Sequence, residues 1–333
     1  MTYDYSALDR PITEQDTTAY RERFAKKKNF TSNILMGILI LVVLFIFFGP
    51  VFTDAASNSQ LHIVTPIFGT IAVVVAAGFI GAGIAHKRRL TRLLAFANDN
   101  KAKLAVDVFS PTMPGVIFSQ GHSQTLKEAI RFPNGHEIGN YSYVTGSGKS
   151  RVTHNWSYMR VHLVRKLPHM LLDARKNNIF GGKYTNLPTT LTGDQKMRLE
   201  GNFNDYFTLY APKGYERDAL YVFTPDVMVA LIDFGANHDI EVVDDSLLFY
   251  REGTMKLTNA AKLAESLSVL DKVSSEIIDQ GEYYADDRIG NRSIDAIAAP
   301  GQRLKTRMSI ITAIILILLF IYFLWIFYRL SQP

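Results

Sequence analysis

The stretch that decides the architecture of the central region reads Ile138-Gly-Asn-Tyr-Ser-Tyr-Val-Thr145, Gly146-Ser-Gly-Lys-Ser150, Arg151-Val-Thr-His-Asn-Trp-Ser-Tyr-Met-Arg-Val-His-Leu-Val-Arg-Lys166. Tyr141, Tyr143 and Val144, then Val152, Trp156, Tyr158, Val161 and Leu163, are residues that suit a pleated, half-buried surface. The Gly- and Ser-rich segment between the two runs reads as a turn, so the simplest reading is two antiparallel strands joined by a hairpin connection. The second run is long for one strand and predicts a bulge. Pro168 interrupts it before Met170-Leu-Leu172.

Outward from this pair, Gly115-Val-Ile-Phe118 reads as a short strand, Phe203–Tyr210 as another, and Leu220–Phe223 as a strand or turn. Thr224-Pro225-Asp226 is a helix start: an N-cap hydroxyl, proline at the first helical position and an early acid. That helix runs to Phe234 and ends at Gly235. Asp239–Val243 and Leu247–Tyr250, separated by Asp244-Asp245, read as a hairpin. A long helix over Asn259–Ile278 follows, with Leu263, Leu267, Leu270 and Ile277 on its apolar face, and 279–302 reads as loop. The expected class is α+β, with antiparallel strands segregated from helices.

Three uncharged runs flank this region. Residues 29–53, 55–86 and 308–328 contain no Asp, Glu, Lys or Arg, and about 20 apolar residues suffice to cross a bilayer core. The reading is three transmembrane helices, at 33–53, 63–85 and 308–328, with 31–86 as a helical hairpin. Residues 1–30 are an N-terminal segment with an amphipathic helix over 13–28, capped by Thr13. Residues 87–307 are the α+β domain, and 87–106 continue the second span as a helix. The basic clusters Lys26-Lys27-Lys28, Lys87-Arg88-Arg89 and Arg303, Lys305, Arg307 all fall on one side if the N-terminus is cytoplasmic. The expected location is therefore the bacterial plasma membrane, multi-pass, with the large domain cytoplasmic and the C-terminus outside. In the second run Ala77, Gly81 and Ala85 recur every fourth residue, as do Gly78 and Ala82. Small residues at this spacing let helices approach closely, here against the first span or in a homo-oligomer.

Composition excludes several classes. There is no cysteine, so disulfides, thiolate metal sites and a catalytic thiol are absent. Residues 104–302 carry 20 basic and 24 acidic side chains, so the overall positive charge belongs to the flanks and no nucleic-acid partner is expected.

The motifs weighed for chemistry point to structure. Gly146-Ser-Gly-Lys-Ser150 resembles the end of a phosphate-binding loop. The required earlier glycine is replaced by Tyr143, and a strand follows where a helix should. His122, His136, His154, His162, His169 and His238 show no metal-ligand spacing. Glu282, Asp286 and Asp287 with Tyr283 and Tyr284 form an acidic-aromatic cluster, read as a solvated loop without a calcium-loop pattern. No catalytic, cofactor-binding or metal-binding residue is assigned, and no cofactor is implied.

Phe203, Phe207 and Tyr210, then Asp218-Ala219, then Phe223-Thr-Pro225, then Ile240 to Tyr250 together resemble a pattern in a family of uncharacterised bacterial integral membrane proteins. That family carries two N-terminal spans and a cytoplasmic domain of unknown function. The resemblance implies a bacterial origin and that domain arrangement; the third apolar run departs from it. The expectation is a membrane-anchored, non-enzymatic protein that presents its α+β domain to a partner or to the membrane surface. Its partners would be the lipid bilayer and a protein or a second copy of the chain. The alternatives are a membrane-associated enzyme acting on lipid or peptide, and an accessory subunit of a transport or secretion complex.

Overall fold

The computed structural model describes residues 2–24, 61–178, 185–307 and 310–330. The chain divides into two compact units: residues 2–100 with 258–260, and 101–257 with those from Ala261 on.

In the first unit, helices α1 (Ser6–Asp9) and α2 (Glu14–Phe24) pack on a long helix, α3 (Leu61–Asp99). Thr13 caps α2 as expected. Its hydroxyl accepts the Asp16 N–H at 3.2 Å, while its own N–H donates to the Asp16 carboxylate at 2.8 Å. Arg10 grips the same carboxylate at 2.6 and 3.0 Å and, by that hydrogen bond above all, holds it down at a pKa of about 2. None of the side chains of α2 is buried, so the expected apolar face is not used. Tyr5 stacks on Phe96, and Asn100 exchanges two hydrogen bonds of 2.8 Å with the backbone of Asp4. The helix expected over 87–106 stops at Asp99. Asn98-Asp99-Asn100 are poor helix formers, Lys101 takes a left-handed φ of 55°, and the chain enters a strand.

The second unit is built on a seven-stranded antiparallel sheet: β1 (Lys103–Phe109), β2 (His122–Arg131), β3 (Glu137–Thr145), β4 (Val152–Ala174), β5 (Lys196–Met197), β6 (Phe207–Tyr210) and β7 (Asp239–Glu252). The order is β1-β2-β3-β4-β6-β5, with β7 along the other edge of β4. The β3–β4 hairpin has Thr145 paired with Val152 across the Gly146–Ser150 turn. β4 continues through Pro168 because its register against β7 shifts between His162, Leu167 and Met170, and proline is tolerated at such a bulge. Tyr141, Tyr143, Trp156, Tyr158, Leu248 and Tyr250 form one buried face. Phe118 sits edge-on to Tyr141 and Tyr158, at ring-centroid distances of 4.7 and 5.4 Å. Residues of the opposite parity, Ile138, Met159, Val161, Leu247 and Phe249, are buried as well.

The helices of this unit are α4 (Phe203–Tyr206), α5 (Glu216–Val222), α6 (Pro225–Ala230), α7 (Ala260–Gly281), α8 (Ala299–Gln302) and α9 (Ile310–Leu330). α7 buries Leu263, Leu267, Leu270, Val273 and Ile277 along one stripe. Thr224 caps α6 and Pro225 opens it. Several expectations change. Gly115–Phe118 is a turn, and Phe203–Tyr206 is a helical turn before β6. Leu220 lies in helix α5, and Asp239–Glu252 is one strand where a hairpin was expected. The Val116 N–H bonds Glu241, the Arg175 N–H bonds the Tyr206 carbonyl, and β4 pairs with β7, partners that local propensity does not foresee.

The membrane plan is corrected. Among the described residues no helix is long and apolar enough to cross a membrane. The first proposed span, 33–53, lies outside the described residues. The second and third, 63–85 and 308–328, fall largely on α3 and α9. Neither is long and apolar enough over its described residues to cross a membrane. The transmembrane class, the multi-pass plasma-membrane location and the orientation built on it are withdrawn on this finding. Gly78 and Gly81, expected against a neighbouring helix, meet nothing within 4 Å among the described residues.

Candidate functional site

The bulges of β4 against β7 and the left-handed kink at Asp244 in β7 set the site. Along β7 the buried aromatic face takes Val243 before Asp244 and Leu248 and Tyr250 after it. Asp244, at φ 53°, is the residue around which the parity changes. β4 makes the same change between Tyr158 and Leu171. Glu241 and His169 are thereby turned toward the same space as Tyr250.

Glu241 is fully buried. Its Oε2 accepts the Val116 N–H at 2.9 Å and the Tyr250 hydroxyl at 2.8 Å, and its Oε1 lies 2.6 Å from Nε2 of His169. Nδ1 of His169 accepts the Leu304 N–H at 2.9 Å. The proton therefore sits on Nε2 and is donated to Glu241, a tautomer assigned from the hydrogen-bond network. The Tyr250 phenol is pushed well up by burial and by the adjacent carboxylate. Gly115, at φ 116°, lies directly over the Tyr250 hydroxyl, where a β-carbon would collide with it.

This cluster floors a cavity of about 570 Å³ walled by Pro114, Gln120, Thr190, Arg303 and Arg307. Arg303 makes a bidentate pair with Asp244, both bonds 2.8 Å, which raises its pKa further. A second cavity of about 440 Å³ shares Thr189, Thr190 and Arg307 with the first and reaches Asp173, Arg175, Lys196, Thr208 and Tyr210. The strap 303–307 closes the side common to both. Thr192 and Arg307 donate backbone N–H groups to Lys305 and Thr190, and Gln195 bonds Lys305 twice, at 2.7 and 2.8 Å.

Close to the second cavity, burial pushes the Asp239 carboxyl up to about 7, and nearby Asp173 adds to it. The Ala174 N–H and the Asn177 amide, each at 2.9 Å, pull the other way. Asp173 is itself raised by burial.

The acidic-aromatic cluster is a clamp. Asp286 is buried and takes the Tyr215 hydroxyl at 2.6 Å, the Ala298 N–H at 2.9 Å and the backbone and guanidinium of Arg288. Burial would raise this carboxyl, but those hydrogen bonds hold it below the ordinary range. Arg288 lies over the Tyr215 ring at 3.7 Å and pairs with Asp218, which also accepts the Tyr284 hydroxyl. Glu282, Tyr283 and Asp287 remain exposed. The histidines are scattered: His122 bonds the Gly146 carbonyl, His136 pairs with Asp271, and His154 bonds Thr145. His162 faces Asp245, and half-buried His238 is lowered to about 4 by desolvation. Among the described residues no group of three or more His, Asp or Glu side chains is arranged to hold a metal ion.

Sequence reasoning missed Glu241, Tyr250 and the pairing of His169. The one local signal was a glutamate set between Ile240 and Val242 in an apolar run. No family model, curated protein or solved structure matches this chain.

Proposed function

We propose that this chain is a non-enzymatic binding protein whose α+β unit presents the cleft between the 113–120 turn, residues 188–190 and the 303–307 strap to a ligand or partner. The reading rests on the engagement of Glu241 and His169 by protein groups. Both carboxylate oxygens and both ring nitrogens are occupied by protein groups. A general base needs a lone pair within reach of the substrate proton, and here that lone pair is held by the Leu304 N–H. The constellation braces the cleft floor and fastens the strap to the sheet. A relationship of the 203–250 region to the family it resembles belongs to this proposal and rests on those residues alone.

Incubating the purified chain with a metabolite extract and following it by mass spectrometry tests the reading. The expected result is retention of a ligand in unaltered form. Time-dependent conversion of a metabolite, abolished by His169→Gln, would establish the enzyme reading in its place.

A further inference from the structure

The second cavity contains an unusual charge arrangement. Arg175, Lys196 and Arg307 all line it, and none of the three has a salt-bridge partner among the described residues. Asp173, its acid, is buried on the floor and accepts a hydrogen bond from Thr185 at 3.2 Å. Lys196 and Arg175 act on it through space. Three cations against one carboxylate leave a net positive cavity. Thr189, Thr190, Thr208 and Tyr210 add hydroxyls to the same walls.

We propose that this cavity binds a phosphorylated sugar or polyol, with the phosphate among Arg307, Lys196 and Arg175 and a ligand hydroxyl directed to Asp173. The inference rests on the binding reading above and goes beyond it, placing a ligand in the neighbouring cavity that shares Thr189, Thr190 and Arg307 with the first. A phosphomonoester carries about −1.5 to −2 charges at neutral pH, which matches the excess of cations over acids. Guanidinium groups meet phosphate oxygens with paired N–H donors, and the threonine hydroxyls supply further donors. The carboxylate on the floor would repel a bare anion pushed against it, but accepts a hydroxyl well. That favours a ligand with a polar body over inorganic phosphate. The volume of about 440 Å³ lies within the range of small-ligand sites, roughly 300–1,000 Å³.

The test is isothermal titration of the purified chain with glucose 6-phosphate, glycerol 3-phosphate, glucose, inorganic phosphate and citrate. Binding of at least one phosphate ester with a Kd below about 1 mM, and tighter than glucose, inorganic phosphate or citrate, is expected. Arg307→Gln and Lys196→Gln, both at exposed positions, should each weaken it at least about tenfold. Lys149→Gln, outside the cavity, should leave it unchanged. Should one cavity variant fail to fold, the other decides. Absence of binding by both esters, equal or tighter binding of citrate, inorganic phosphate or glucose, or binding indifferent to both substitutions would overturn the assignment. Consumption of a bound ester would instead overturn the non-enzymatic reading while leaving the site assignment standing.

Discussion

Nε2 of His169 stands 2.6 Å from Oε1 of Glu241, and Nδ1 of the same ring accepts the Leu304 N–H. One imidazole thus links a fully buried carboxylate on β7 to the strap that leads toward α9. Glu241→Gln leaves one amide oxygen for three donors and turns an NH₂ group toward at least one of them. We expect a loss of about 3 kcal/mol, read as a lower urea midpoint. Glu265→Gln, at an exposed position on α7, should stay within about 0.5 kcal/mol. Equal midpoints for the two variants would refute the clasp.

Gly115 and Tyr250 should be coupled. Gly115→Ala places a methyl group against the Tyr250 hydroxyl at a φ of 116° and is expected to cost about 2 kcal/mol or more. Tyr250→Phe removes the colliding atom and one hydrogen bond to Glu241. The double variant should therefore lose less than the sum of the single losses. Simple additivity in a double-mutant cycle would show that the two positions do not meet.

Asp239 predicts a pH dependence. Its folded pKa of about 7 exceeds the unfolded value of about 3.9, so between these limits the folded chain binds more protons than the unfolded one. The stability contributed by this group is complete below about pH 4 and is lost as pH rises through about 7. Asp239→Asn should flatten that part of the stability profile. The check is urea unfolding at intervals from pH 4 to 8, and a variant profile parallel to the wild type contradicts the prediction.

Lys149 sits exposed in the β3–β4 turn. Lys149→Ala should change stability by no more than about 0.5 kcal/mol. Specific binding of ATP or GTP that vanishes in this variant would show that the turn does more than connect two strands.

The amino-acid sequence by itself determined the antiparallel β3–β4 pair, the capped starts of α2 and α6, and the apolar stripe of α7. In each, the deciding contacts lie within one hairpin or a few helical turns, so alternation, spacing and cap chemistry are visible locally. Tertiary structure decided the rest. His122-Ser-Gln-Thr-Leu-Lys-Glu-Ala-Ile-Arg131 has little β character, yet it is a strand because β1 and β3 pair with both its edges. Asp239–Glu252 is one strand because β4 pairs with it along its length. The acidic residues near 286 were legible as a cluster. Their role as a clamp was not, because Tyr215 and Asp218 reach them from about 70 residues away in sequence. The candidate site was the least legible part. Glu241 meets His169 across 72 positions, and only after the bulges of β4 and the kink at Asp244 in β7 have reversed which residues face the cleft. Alternation along a chain carries no record of where an extra residue will be left unpaired, so the partner strand makes that choice.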